Sequence, residues 1–196
     1  MAIKNIMVIG SGLMGSGISQ VAAQSGYNVI MNDVKSELVA KGLNAIAKNL
    51  DGQIKKERIT IADKDAILSR IAQSLSLDDV KQADFVIEAA FENFEVKKSI
   101  FEKLDALCAP AVIFASNTSS IPISSLATTV KRPDKFIGMH FFSPVPVMKL
   151  VEIIPGLKTS SETIKVTEEL AASIKKDTVR VKDVPGFLVN RINAAF

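Results

Sequence analysis

The stretch Lys4-Asn5-Ile6-Met7-Val8-Ile9-Gly10-Ser11-Gly12-Leu13-Met14-Gly15 decides the fold. Its first six residues read as a short apolar strand, and the glycines follow at once. Ser16 to Gln24 has helix-forming character, and a second apolar run, Tyr27 to Met31, ends in Asn32-Asp33. Strand, glycine turn, helix and second strand with a carboxylate at its tip are the parts needed to hold a dinucleotide. Gly10 permits the tight turn, Gly12 lets the backbone approach a pyrophosphate, and Gly15 lets helix and strand pack closely. The helix N-terminus offers free N–H groups and the positive dipole end to the phosphates, and Leu13 and Met14, in the turn ahead of it, are further candidate cofactor contacts. Asp33 follows Gly10 by 23 positions (33 − 10), near the spacing of about 20 expected for a ribose-binding acid. Its carboxylate suits the two ribose hydroxyls of NAD and would repel the 2′-phosphate of NADP, so NAD is the expected cofactor. Glycine turns alone are weak evidence; the strand before, the helix after and the placed acid carry the reading. Asp33 could also cap a helix starting at Lys35, and both roles can coexist.

The rest of the chain extends this pattern. Helices are expected over 36–51, followed by a basic stretch to Arg58, after a cap at Thr60 with Asp63 three residues on, over 94–108 after the cap Asn93, and over 161–175. Strands are expected at 71–75, 85–88, 111–115, 136–140, 150–154 and 178–181. The wholly apolar Ala111-Val112-Ile113-Phe114-Ala115 suits a sheet covered on both faces. The alternation predicts an α/β fold with a doubly wound, mostly parallel sheet. Pro185-Gly186 punctuates its end, dividing a nucleotide-binding domain over 1–184 from a segment over 185–196. From Phe187 onward a helical, apolar stretch begins and the chain stops inside it. A helix apolar on most sides needs a partner, so the start of a further helical domain is expected; a helix docking on this domain is the alternative.

The chain has 196 residues, a net charge of +3 and 47% hydrophobic residues. That charge is too small to argue for nucleic acid. No apolar run nears the roughly 18 residues needed to span a membrane, and the first strand leaves no room for a leader. A cytoplasmic protein is expected. The single Cys108 excludes an internal disulfide and reads as a buried structural thiol. One histidine and one cysteine argue against a His/Cys zinc site, and no metal is expected.

Polar groups then appear where strands end. Ser116-Asn117-Thr118-Ser119-Ser120 follows an apolar strand, and His140 ends another, in the place where open parallel sheets bind ligands. Glu152 sits between Val151 and Ile153 and must face out or be paired. Pairing with His140 would solve this: the carboxylate accepts one imidazole N–H and raises the basicity of the other nitrogen. Each residue alone has an ordinary reading, as a satisfied histidine, a surface acid or a turn hydroxyl. A nicotinamide fold shifts the balance, because oxidising a secondary alcohol needs a base for the hydroxyl proton, and His140 is the only histidine.

These residues, with Gly138-Met139-His140-Phe141-Phe142, Pro146-Val147-Met148-Lys149-Leu150-Val151-Glu152 and Pro185-Gly186-Phe187-Leu188-Val189-Asn190-Arg191, resemble the L-3-hydroxyacyl-CoA dehydrogenases. The bacterial 3-hydroxybutyryl-CoA members are most similar. The resemblance implies an N-terminal NAD domain, an acyl-CoA substrate, and a C-terminal helical domain through which the full-length protein forms a homodimer. His140 would be the catalytic base, Glu152 its orienting partner, Ser119 a hydrogen-bond partner of the substrate hydroxyl near the nicotinamide, and Asn190 a substrate-holding residue. Glu92 and Lys97 would contact NAD, and Lys56 coenzyme A, although a solvated lysine fits Lys56 equally well. Ser143 stands where the family usually has asparagine near the nicotinamide. A related dehydrogenase of small hydroxy acids or sugar acids, or a nucleotide-binding domain without turnover of its own, are the alternatives.

Overall fold

The structure is a computed structural model that describes residues 3–193. Eight strands form one sheet: β1 (Asn5–Ile9), β2 (Asn28–Asn32), β3 (Ile71–Ser74), β4 (Phe85–Glu88), β5 (Ile113–Ser116), β6 (Phe136–Phe141), β7 (Leu150–Pro155) and β8 (Asp177–Arg180). Their order is β3-β2-β1-β4-β5-β6-β7-β8. All neighbours pair in parallel except β6 and β7. The direction of winding reverses between β1 and β4, which defines the crevice where such sheets take ligands.

Helices α1 (Leu13–Gln24), α2 (Ser36–Ile54), α3 (Ile61–Ser69) and α6 (Ser161–Ser173) cover one face, and α4 (Phe94–Leu107) and α5 (Ile123–Ala127) the other. Strand alternation makes the two cores. Ile6 and Val8 of β1 join Ile18, Val39 and Leu170 on the first face. Met7 and Ile9 join Phe101, Phe114, Leu126 and Phe136 on the second. This two-sided burial is why the strands read as continuous apolar runs.

Local signals behave as expected in most places. Thr60 and Asp63 form a reciprocal capping box, and the Asn93 side chain accepts from the Val96 N–H. Three readings change. Helix α1 begins at Leu13 rather than Ser16, directly on the glycine turn. Asp33 does not cap α2: Lys35 is the cap position, with no side-chain hydrogen bond. The last helix, α7 (Val189–Asn193), starts two residues after Phe187, because Gly186 (φ +78°) and Phe187 (φ +48°) turn the chain first. The Phe187 ring is buried in the second core. The expected continuation over 194–196 lies outside the described residues.

Gly15 shows how tightly the opening unit is built. A Cβ there would lie 1.8 Å from the Gly10 carbonyl oxygen, which belongs to the backbone and cannot rotate away. Gly15→Ala is expected to lower stability by about 1–3 kcal/mol or more. Urea unfolding, with the midpoint falling at constant slope, measures it.

Candidate active site

A cavity of about 1110 Å³ opens at the carboxyl ends of β1, β2 and β4, lined by the Gly10–Leu13 turn, Asp33, Val34 and Ala89–Phe91, among others. Gly10 holds φ +94°, and a Cβ on it would sit 2.5 Å from the Ala89 carbonyl oxygen. A Cβ on Gly12 would meet nothing within 4 Å, so that side of the turn is open. No side chain caps the start of α1, and its first turn carries no acid. The N–H groups there are left for an anion, which fits a pyrophosphate. Leu13 is exposed and lines the cavity, whereas the partly buried Met14 packs against the first core and does not line it.

Asp33 is fixed within this cleft. Its Oδ2 accepts from the Ser11 N–H (2.8 Å) and the Ser11 hydroxyl (2.7 Å), and its Oδ1 from the Val34 N–H (2.8 Å). Both acceptor sites of Oδ2 are taken, and Oδ1 keeps one for a ribose hydroxyl. The cleft therefore fits NAD.

His140 and Glu152 stand directly opposite each other across the antiparallel pair of β6 and β7. The His140 Nδ1 lies 2.7 Å from Glu152 Oε2, and both residues are buried. A carboxylate only accepts hydrogen bonds, so Nδ1 carries the proton and Nε2 of the neutral ring holds the lone pair. Among the described residues Nε2 has no hydrogen-bond partner. Phe142 and Phe187 flank the ring at centroid distances of 4.7 and 5.7 Å. The other Glu152 oxygen, Oε1, accepts from the Leu188 (3.0 Å) and Val189 (2.9 Å) N–H groups at the start of α7. The pairing was legible in the sequence; this second anchorage was not.

Ser119, Asn190 and Glu92 meet in the loop after β5. Glu92 Oε1 accepts from the Thr118 hydroxyl (2.5 Å) and the Ser119 (2.8 Å) and Ser120 (3.2 Å) N–H groups, and lies 3.4 Å from the Ser119 hydroxyl. The Asn190 amide donates to the Ser119 carbonyl at 3.3 Å. Partial burial alone would raise the Glu92 carboxyl. The Thr118 hydroxyl, the Lys97 ammonium and the Ser119 N–H outweigh it, holding Glu92 below the usual carboxylate range.

Lys97 has a deeper place than a cofactor contact suggests. It is almost wholly buried, and its Nζ reaches Glu88 Oε1 (2.6 Å), Glu92 Oε2 (3.3 Å) and the Ala90 carbonyl (3.3 Å). Its three donors are engaged. Glu88 went unread in the sequence, although the signal was that of Glu152, a charge joined to an apolar run. Ser143 is exposed in the loop after β6. Lys56 is exposed just past α2 and lines a second cavity of about 560 Å³ with Lys48, Arg58, Lys149, Lys175 and Lys176. Among the described residues no cluster of three metal-ligating side chains occurs, and no helix is long and apolar enough to cross a membrane. Burial pushes the Cys108 thiol up to about 11, as befits a structural position.

A mostly parallel sheet with a glycine turn, an acid in the cleft beside it and a His–Glu pair past its switch point defines a nicotinamide-dependent dehydrogenase domain. Residues 5–184 match the 3-hydroxyacyl-CoA dehydrogenase NAD binding domain, and the chain belongs to that family. It is 47% identical over 192 residues to a probable 3-hydroxybutyryl-CoA dehydrogenase of Bacillus subtilis, covering 98% of this chain and 67% of the relative. It is 45% identical over 190 residues to the 3-hydroxybutyryl-CoA dehydrogenase of Bradyrhizobium diazoefficiens, covering 97% and 65%. The crystal structure of (S)-3-hydroxybutyryl-CoA dehydrogenase from Ralstonia eutropha superposes with a TM-score of 0.96 at 49% identity, over 98% of this chain and 68% of that one. The chain thus spans about two thirds of the length of these relatives.

Replacing Asp33 by alanine removes the carboxylate expected to accept from the ribose and to repel a 2′-phosphate. Asp33→Ala is expected to weaken NAD binding about tenfold or more and NADP binding much less. Paired fluorescence titrations with NADH and NADPH give the ratio; an unchanged preference would contradict the role.

Proposed function

We propose that the chain carries the catalytic domain of an enzyme interconverting (S)-3-hydroxyacyl-CoA and 3-oxoacyl-CoA, of the 3-hydroxybutyryl-CoA type. The observation that carries this reading is the buried His140–Glu152 pair at 2.7 Å, with Nε2 left unpaired among the described residues. NAD(H), when bound, accepts or supplies the hydride at substrate C3. His140 Nε2 takes the proton of the 3-hydroxyl during oxidation and returns it during reduction, while Glu152 keeps the proton on Nδ1 and stabilises the imidazolium. The Ser119 hydroxyl holds the substrate 3-oxygen, and Asn190 holds the substrate beside it. The basic cavity around Lys56 suits the phosphates of coenzyme A. The relatives' activity supports the same substrate class. Homodimerisation through a helical domain beyond residue 184 belongs to the same proposal.

The test is made in the intact protein with acetoacetyl-CoA and NADH. His140→Ala is expected to lower kcat by roughly two to four orders of magnitude. NADH binding, read by titration, is expected to stay within about threefold of the unsubstituted protein. Equal loss of both would make the histidine structural. Turnover of free acetoacetate as efficient as that of its thioester would favour a small hydroxy-acid dehydrogenase instead.

A further inference from the structure

Glu88 is a fully buried carboxylate that the proposed chemistry does not use. It ends β4, in register with Ile9 of β1, and so lies at the point where the winding of the sheet reverses. All its partners are internal. Oε1 accepts from the Lys97 ammonium (2.6 Å) and the Ala90 N–H (2.7 Å), and Oε2 accepts from the Ser116 hydroxyl (2.6 Å).

Two routes lead from these contacts to one loop. Ser116 Oγ, donating to Glu88, accepts in turn from the Thr118 N–H at 3.2 Å. Lys97, held by Glu88, reaches Glu92 Oε2 at 3.3 Å, and Glu92 Oε1 gathers the Thr118 hydroxyl and the Ser119 and Ser120 N–H groups. The segment carrying Ser119 is therefore tied to Glu88 at its start through Ser116 and at its middle through Lys97 and Glu92. Without Glu88 the Lys97 ammonium would keep only the half-exposed Glu92 as counter-charge and would be drawn toward it. A buried lysine stripped of its closest anion is costly, so that rearrangement is strongly driven.

We infer that Glu88 is a positioning residue for the reaction proposed above: through Ser116 on one side and the Lys97–Glu92 pair on the other, it sets the Thr118–Ser120 backbone and hence where the Ser119 hydroxyl stands. The inference rests on that reading for the use of Ser119, whereas the placement of the loop can be tested apart from it.

Glu88→Gln keeps the shape and an acceptor for Ser116 but removes the charge. In the intact protein, hydrogen exchange of the Ser119 and Ser120 amides is expected to speed up about tenfold while the amides of β1 and β6 keep their protection. With acetoacetyl-CoA, kcat is expected to fall about tenfold and the KM for NADH to move by less than about threefold. Unchanged exchange at Ser119 and Ser120, or an equal loss of protection everywhere, would overturn the inference, the second outcome marking a merely structural carboxylate. If Glu88→Gln does not fold, Ser116→Ala decides: faster exchange at Thr118 supports the first route, and an unaltered Thr118 amide overturns it. A parent protein inactive toward acetoacetyl-CoA would end the proposed reaction, and the exchange measurements would still judge the positioning role.

Discussion

The Glu152 carboxylate has no exposed surface, and the site depends on how that charge is satisfied. Taking an unpaired carboxylate out of water costs several kcal/mol, so it persists as an anion only where good donors surround it. Here the donors are the His140 ring and the N–H groups of Leu188 and Val189. The return of β7 antiparallel to β6 provides the first. The connection over 142–149 is too short for a parallel crossover, and the register it produces sets Glu152 against His140. A slip of one residue would present Val151 or Ile153, both of which fill the first core, and would drive the charge into that core instead. The one antiparallel pairing in the sheet is thus the pairing that fixes the orientation of the imidazole.

The same solution recurs along the carboxyl edge of the sheet. Asp33 accepts from the Ser11 and Val34 N–H groups, Glu88 from Ala90, and Glu92 from Ser119 and Ser120. Loops leaving parallel strands carry backbone donors that no ladder satisfies. Acidic side chains take those donors up, and the ionised hydrogen bonds are stronger than neutral ones. An edge that must present ordered loops to a ligand is in this way ordered by charge rather than by added secondary structure.

What the sequence disclosed follows from the range of each interaction. The glycine turn, the capping box at Thr60 and the Asn93 cap each act within a few residues, and the chain shows them directly. The His140–Glu152 pair was legible for another reason: a charge inside an apolar run demands a partner, and only one histidine was on offer. Helix α5 was not legible, because its N–H groups are capped by Asp183, some 60 residues later. The positive φ of Phe187 was equally hidden, since a buried aromatic ring next to a glycine reads as the first turn of a helix until its packing is known. Glu88 could have been found by the rule applied to Glu152. It was missed because an acid at the end of a strand, unlike one in its middle, has solvent as an obvious alternative.

The segment after β8 follows from these contacts as part of the site rather than a tether. Asp183 anchors it to α5, and Phe187 fills the second core beside the His140 ring. Glu152 Oε1 fixes the first turn of α7, and Asn190 on that turn reaches back to the Ser119 carbonyl. Because the two oxygens of one carboxylate serve the imidazole and α7, a rotation that releases one disturbs the other. The direction in which α7 leaves the domain and the orientation of the His140 ring are therefore coupled through one carboxylate. A movement of α7 away from the sheet would break the Leu188 and Val189 bonds to Glu152 and the Asn190 bond to Ser119 together, so the seating of that helix and the ordering of these groups go together.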